Sequence, residues 1–231
     1  ARNEEDVLAR VQNFAEKRHG ERISGVVSAL LPFIGKDRDV ILEYSSPSGR
    51  DEAVAGTVCA RVEPTRTGPQ WLVVTASVDR VAAIAKQFER WINNRSGIRV
   101  ARLGEADSAT AEARRASGTP QVIVATADRL IDHIRRDNLQ LGSVSGWVID
   151  AAKPSTGFTV DLAFIATKLN GDQTTVVVSD DPTAAADGLQ ALMSRPTIVR
   201  QQQWRHLESE PASEPVNEQL KERLMKHKEL P

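Results

Sequence analysis

Seven short apolar runs, most of them rich in β-branched residues, recur along the chain with helix-patterned segments between them. They are Asp39 to Tyr44, Trp71 to Thr75, Ile98 to Leu103, Gln121 to Ala125, Gly146 to Asp150, Thr174 to Ser179 and Thr197 to Arg200. Strands that alternate with helices build a mostly parallel sheet, because a parallel connection needs a crossover long enough to hold a helix. The runs VILEY, WLVVT and TVVVS are largely continuous rather than alternating, the pattern of strands covered on both sides. The expected fold is therefore α/β and three-layered, a mostly parallel sheet with helices on both faces.

Between the runs, Val78 to Ile92 places Val81, Ala85, Phe88 and Ile92 at helical spacing, leaving Asp79, Arg80, Lys86, Glu89 and Arg90 for the wet side. A second helix runs to Ile134 with Leu130, Ile131 and Ile134 inward and Thr126 as its cap, and Asp161 to Leu169 and Thr183 to Met193 supply two more. Glu5 to Lys17 and Ile23 to Ile34 read as helices ahead of the sheet. After Arg200 the chain turns polar and proline-interrupted, as linkers are. Within that tail, Glu214 to Leu230 carries Val216, Leu220 and Leu224 on one short stripe, and Trp204 stands beside Arg205 as a candidate protein anchor. The expected division is an N-terminal helical extension (1–22), one α/β domain (23–200), and a polar linker with a short C-terminal helix (201–231).

With 231 residues, 40% of them hydrophobic, the chain can bury one sizeable core. A formal net charge of -1 provides no global basic field, so contact with nucleic acid would have to come from a local patch. The basic pairs Arg114–Arg115 and Arg135–Arg136 read as solvated helix faces, and Trp71, Trp91 and Trp147 fall in patterns that favour burial over base stacking. The single cysteine, Cys59, excludes an intrachain disulfide framework and reads as a small buried hydrophobe. Four scattered histidines lack zinc-ligand spacing, so no metal is expected. The most apolar stretch, Gly25 to Gly35, is far short of the ~20 residues that span a bilayer, and no membrane partner is expected. The chain opens on Ala1, which reads as processing or excision from a longer polypeptide, and a cytoplasmic location is expected.

The functional reading turns on what stands at the strand ends. DVILEYSSPSGRDEA (Asp39 to Ala53) follows the first run, WVIDAAK (Trp147 to Lys153) ends the fifth, and QVIVATADRLIDHI (Gln121 to Ile134) lies before it. LVVTASVDRVAAIAKQF (Leu72 to Phe88), GIRVARLGE (Gly97 to Glu105), GFTVDLAFIATKL (Gly157 to Leu169) and VVVSDD (Val176 to Asp181) fill the intervals. In order and spacing, from Ile23 to Arg200, this resembles the N-terminal RecA-like, ATP-binding domain of DEAD-box RNA helicases, a P-loop NTPase fold, with its motifs degenerate.

A phosphate loop needs glycines whose N–H groups surround phosphates, a lysine, and a hydroxyl for Mg²⁺. Set against the family's AxTGxGKT, Ser46 takes the threonine position, Pro47 the first glycine, Gly49 the second, Arg50 the lysine and Asp51 the metal-binding hydroxyl. Pro47 lacks an N–H, Arg50 is bulkier than lysine, and Asp51 sets a carboxylate toward a triphosphate. The alternative is an ordinary strand-to-helix turn in which Asp51 helps to cap the helix. In the acidic box, where the resemblance implies an aspartate for Mg²⁺ and a glutamate for the attacking water, the chain reads Asp150, Ala151, Ala152, Lys153. No glutamine lies between Gly20 and Phe33, where the family reads adenine, and a second RecA-like domain has no counterpart in these 231 residues.

The resemblance further implies RNA contacts at Ser77, Gly104, Thr126 and Arg129, with Glu105 and Asp128 opposing phosphate, and with a salt-bridged helix-start arginine as the alternative for Arg129. Three expectations follow in order. The first is a catalytically inactive module that binds protein partners or the rest of a larger polypeptide, with no cofactor. The second is an RNA-binding module, and the third an ATP-binding half completed by another domain.

Overall fold

The computed structural model describes residues 38–44, 50–92, 97–104, 108–150, 155–171 and 173–200. The helices expected before residue 38 and after residue 200 lie outside these. Within them the strands are β1 (Val40–Glu43), β2 (Trp71–Thr75), β3 (Val100–Leu103), β4 (Val122–Thr126), β5 (Gly146–Asp150), β6 (Thr174–Ser179) and β7 (Thr197–Val199). The helices are α1 (Arg50–Arg61), α2 (Val78–Trp91), α3 (Ala109–Ser117), α4 (Ala127–Arg135), α5 (Thr156–Ala166) and α6 (Pro182–Leu189), the last continued by a 3₁₀ turn over Gln190–Leu192.

All seven strands join one parallel sheet in the order β3-β4-β2-β5-β6-β1-β7. Successive side chains of a strand point to opposite faces, and the core divides accordingly. Val40, Leu42, Val73, Val148 and Val178 lie under α1 and α2, which contribute Val54, Val58, Ile84 and Phe88. Ile41, Leu72, Val74, Ile149 and Val177 face the other way, toward Leu130, Leu162, Ile165 and Leu189 of α4, α5 and α6. β2, β4, β5 and β6 are buried along their whole length, the signature of a sheet covered on both sides. The three-layer α/β expectation holds.

Two helices begin elsewhere than their periodicity predicts. α5 starts at Thr156, five residues before Asp161, because the Ser155 hydroxyl accepts a hydrogen bond from the Phe158 N–H at 3.2 Å and carries the helix start past Gly157. α6 starts at Pro182, where a missing N–H removes nothing, capped by Asp181 accepting from Ala184 N–H at 2.9 Å, and gives way to the 3₁₀ turn after Leu189. Thr126 does stand at the cap of α4, but its hydroxyl makes no capping bond. Its side chain lies instead against Gly104, where a Cβ would come within 3.1 Å of Thr126 Oγ1.

The buried polar groups of the core close irregular segments onto the sheet. Gln70 donates to the carbonyls of Glu63 and Arg66 at 2.8 and 2.9 Å and accepts from the Glu63 N–H at 2.9 Å, tying down the long turn before β2. Asp39 accepts from the Thr175 N–H at 2.8 Å, and Trp147 Nε1 donates to Thr175 Oγ1 at 2.9 Å. Cys59 is fully buried in α1, where burial pushes its thiol well above the ordinary range.

Gly146 opens β5 directly beneath the Trp71 ring, and a Cβ there would stand 2.6 Å from two ring carbons. The ring is fully buried and has no room to withdraw. Gly146→Ala is expected to destabilise the domain by about 1–3 kcal/mol through overpacking, read from urea unfolding midpoints at unchanged slope.

Candidate functional site

A parallel sheet gathers the C-terminal ends of its strands along one edge, where open α/β folds place their ligands. That edge carries Asp150 at the end of β5, the start of α1 after β1, and the Ala76–Ser77 turn between β2 and α2. Asp150, 1% exposed at its side chain, forms an ion pair with Arg50, although β6 separates β1 from β5 in the sheet. The arginine crosses β6 and donates to the Val178 carbonyl at 3.1 Å on the way. The second carboxylate oxygen of Asp150 accepts from Arg80 Nε at 2.8 Å. Arg80 reaches on to Asp51, with Nη1 at 3.2 Å from Oδ2 and Nη2 paired with Oδ1. Two guanidinium groups and two carboxylates thus form one closed cluster of zero net charge. Burial works against the Arg80 charge, yet Asp51 and Asp150 together outweigh it and hold the guanidinium protonated above its ordinary range.

Local chemistry explains how Arg80 gets there. Thr75 Oγ1 donates to the Ser77 carbonyl at 2.7 Å and accepts from the Ser77 N–H at 3.1 Å, which turns the chain sharply out of β2. Ser77 Oγ then caps α2 by accepting from the Arg80 N–H at 3.4 Å. A side chain in the first turn of a helix leans toward its N-terminus, so Arg80 points back over the strand ends rather than out to solvent.

A second cluster lies beyond β2. Glu112 of α3 has a fully buried side chain, and its Oε1 accepts from the Gly104 N–H at 2.8 Å. Its other oxygen accepts from Arg129 Nε at 3.0 Å, pairs with Arg129 Nη2, and lies 3.2 Å from His133 Nε2. Asn138 Nδ2 donates to His133 Nδ1 at 3.2 Å, which leaves Nε2 as the donor to Glu112. Burial alone would raise the Glu112 carboxyl, but the Gly104 N–H, Arg129 and His133 outweigh it and hold it below the usual glutamate range.

Of the residues singled out in the sequence, Arg50, Asp51 and Asp150 come together. The Asp51 carboxylate is engaged by Arg80. Ser77, Gly104, Thr126 and Arg129 also reach the strand-end edge, where Ser77 is a helix cap and Arg129 is the salt-bridged helix-start arginine. Arg114, Arg135 and Arg136 are exposed, and Trp71, Trp91 and Trp147 are buried. Ser46, Pro47, Gly49, Ala151, Lys153, Trp204, Val216, Leu220 and Leu224 lie outside the described residues. Three participants went unmarked in the sequence: Arg80, assigned to the wet side of α2, and Glu112 with His133, which carry no motif. The signal for Arg80 was its place three residues after a capping serine at a strand end.

The model of the DEAD/DEAH box helicase family matches residues 26–180. The chain belongs to the DEAD/DEAH box helicase family. Among its family relatives, the ATP-dependent RNA helicases DeaD of Klebsiella pneumoniae and of Escherichia coli K12 are each 26% identical over 183 residues, 78% of this chain but only 28% and 29% of theirs. The fold matches a DEAD box protein from Methanococcus jannaschii with TM-score 0.72 at 17% identity, covering 83% of this chain and 53% of that one. It also matches a Saccharomyces cerevisiae Dbp5 variant solved bound to a Gle1 variant and IP6, with TM-score 0.72 at 17% identity over 87% of this chain and 52% of that one. The domain is thus the N-terminal RecA-like helicase domain of the DEAD-box fold, and it spans less than a third of the length of the curated relatives named here. Among the described residues no helix is long and apolar enough to cross a membrane.

Glu112→Gln is expected to destabilise the domain by about 2 kcal/mol near neutral pH, since charge-assisted hydrogen bonds carry about that much. The folded carboxyl titrates below the unfolded one, so its contribution is complete above the unfolded value of about 4.3 and is lost as pH falls through the folded value. Denaturant unfolding at stepped pH should therefore show the gap between wild type and variant closing only in acid.

Proposed function

We propose that this domain is a catalytically inactive member of its family that serves as a protein-interaction or assembly module. The observation that carries the reading is the closed Arg50–Asp150–Arg80–Asp51 cluster. The resemblance implies Mg²⁺ and a nucleotide at this edge. Residues that fit them would leave an acid free for the metal and a cation free for phosphate, whereas here Asp150, Asp51 and both arginines are already joined to one another. Binding Mg²⁺–ATP in the family's manner would mean breaking ion pairs that are largely withdrawn from water, and loss of one partner of a buried pair is unfavourable by several kcal/mol. The absence of a glutamate at Ala151 and of a second acid at Lys153 supports the same reading. A module without chemistry acts through its surface, and the partner is a protein or the remainder of a longer polypeptide, in the cytoplasm.

RNA binding is the second reading. It draws on the Gly104 turn, held at φ 121° by its bond to Glu112, and on the starts of α2 and α4 at the same edge. We rank it lower because Ser77 is engaged as a cap and Arg129 with Glu112. An ATP-binding half completed by another domain is the third.

One titration separates these. Melting of the purified chain with Mg²⁺–ATP or Mg²⁺–ADP is expected to stay unshifted at millimolar nucleotide, whereas a ligand at a hundred times its Kd adds about 2.7 kcal/mol to a state it alone binds. A saturable shift, or RNA-stimulated phosphate release, would overturn the proposal in favour of the ATP-binding half. Salt-dependent binding of single-stranded RNA that weakens in Arg129→Ala would favour the RNA module instead.

A further inference from the structure

The metal implied at the strand-end edge and the residues present there disagree in a specific way. A divalent cation at such a site bridges carboxylates that would otherwise repel, usually holding one or two of them alongside waters. Here Asp51 of α1 and Asp150 of β5 are bridged, but by a side chain. Arg80 sends Nε to Asp150 at 2.8 Å and its two terminal nitrogens to both oxygens of Asp51. Guanidinium suits this task because its donors are planar, forked and always charged. Arg50 neutralises the remaining oxygen of Asp150 from the opposite side. Among the described residues no group of three or more metal-ligating side chains gathers anywhere.

We propose that Arg80 is this domain's resident cation: it takes over the bridging of Asp51 and Asp150 that a divalent metal would perform, so that α1, α2 and β5 are locked together with no metal or nucleotide bound. The inference rests on the reading of the site as non-catalytic and states what holds that site closed. It has a mechanical consequence. In a domain that relies on bound metal and nucleotide, the strand-end loops are free to rearrange when the ligand leaves. With the cation built into α2, the link between α1, α2 and β5 is complete as soon as the chain has folded and does not wait for a ligand.

The test is a divalent-cation titration of wild type and Arg80→Ala, followed by melting temperature and by Mn²⁺ electron paramagnetic resonance. Wild type is expected to bind no Mn²⁺ at this edge and to melt at the same temperature with and without Mg²⁺, Mn²⁺ or Ca²⁺. Arg80→Ala should melt lower, take up one Mn²⁺ per chain, and recover part of the lost melting temperature with divalent ion but not with NaCl of equal ionic strength. Adding Asp51→Asn to that variant should abolish the recovery. Should Arg80→Ala fail to fold, Arg80→Gln, which keeps the stem without the charge, carries the same comparison. An Arg80 variant that melts as wild type does, or one that melts lower and is restored by no divalent ion, overturns the inference. Either result would leave the nucleotide titration above untouched, and a nucleotide shift in wild type would leave the cation comparison untouched, so the two proposals fail separately.

Discussion

The carboxylate of Asp150 is the constraint around which the strand-end edge is arranged. With 1% of its side chain exposed, it cannot rely on water for its charge, and an unpaired ion at such a depth is penalised by several kcal/mol. Two arginines from different helices converge to meet it, one crossing β6 and the other folding back from the first turn of α2. Meeting that charge fixes the direction in which α1 and α2 leave the sheet, and both helices then complete the same half of the core through Val54, Val58, Ile84 and Phe88. The electrostatic and apolar requirements therefore select one arrangement, which is how a sequence gains a single structure in place of several near-equal ones.

Glu112 performs a comparable role on the far side of β2. By accepting from a backbone amide, an arginine and a histidine, it binds together a turn after β3, a helix after β4 and the helix on which it stands. Gly104 is required at that turn because its φ of 121° is closed to residues with a Cβ and because Thr126 already fills the space a Cβ would take. The edge is thus closed by two independent polar knots, one under α1 and α2 and one under α3 and α4. Both use ionised groups held by more than one partner, the condition under which buried charge is tolerated.

Much of the architecture was legible in the sequence because buried parallel strands are short, apolar and regularly spaced; WLVVT and TVVVS fall where they were expected, to the residue. Helix starts were less legible where a cap outranks periodicity: Ser155 begins α5 ahead of its apolar stripe, and Asp181 with Pro182 does so for α6. At the site, Arg50, Asp51 and Asp150 were found from segment order, but their mutual pairing was not, since it depends on β6 lying between two strands that are distant in sequence. Arg80 was misassigned because helical periodicity describes the middle of a helix, whereas first-turn side chains lean beyond its end. Glu112 and His133 joined no motif; only the packing of α3 beside α4 brings them together.

The strand order carries a consequence for how the chain reaches this state. β1 pairs only with β6 and β7, its Val40 aligned with Val176 and Thr197, so the first described strand waits for partners more than a hundred residues downstream. On the ribosome, β2 to β5 can assemble while β1 still has an open edge on both sides, and the apolar run VIL has no shelter until the last strands emerge. Long-range parallel pairing of this kind is slow. The β6-β1-β7 end of the sheet is therefore the last part to be sealed, and a nascent chain halted before Thr197 would display a strand with nothing beside it on that side.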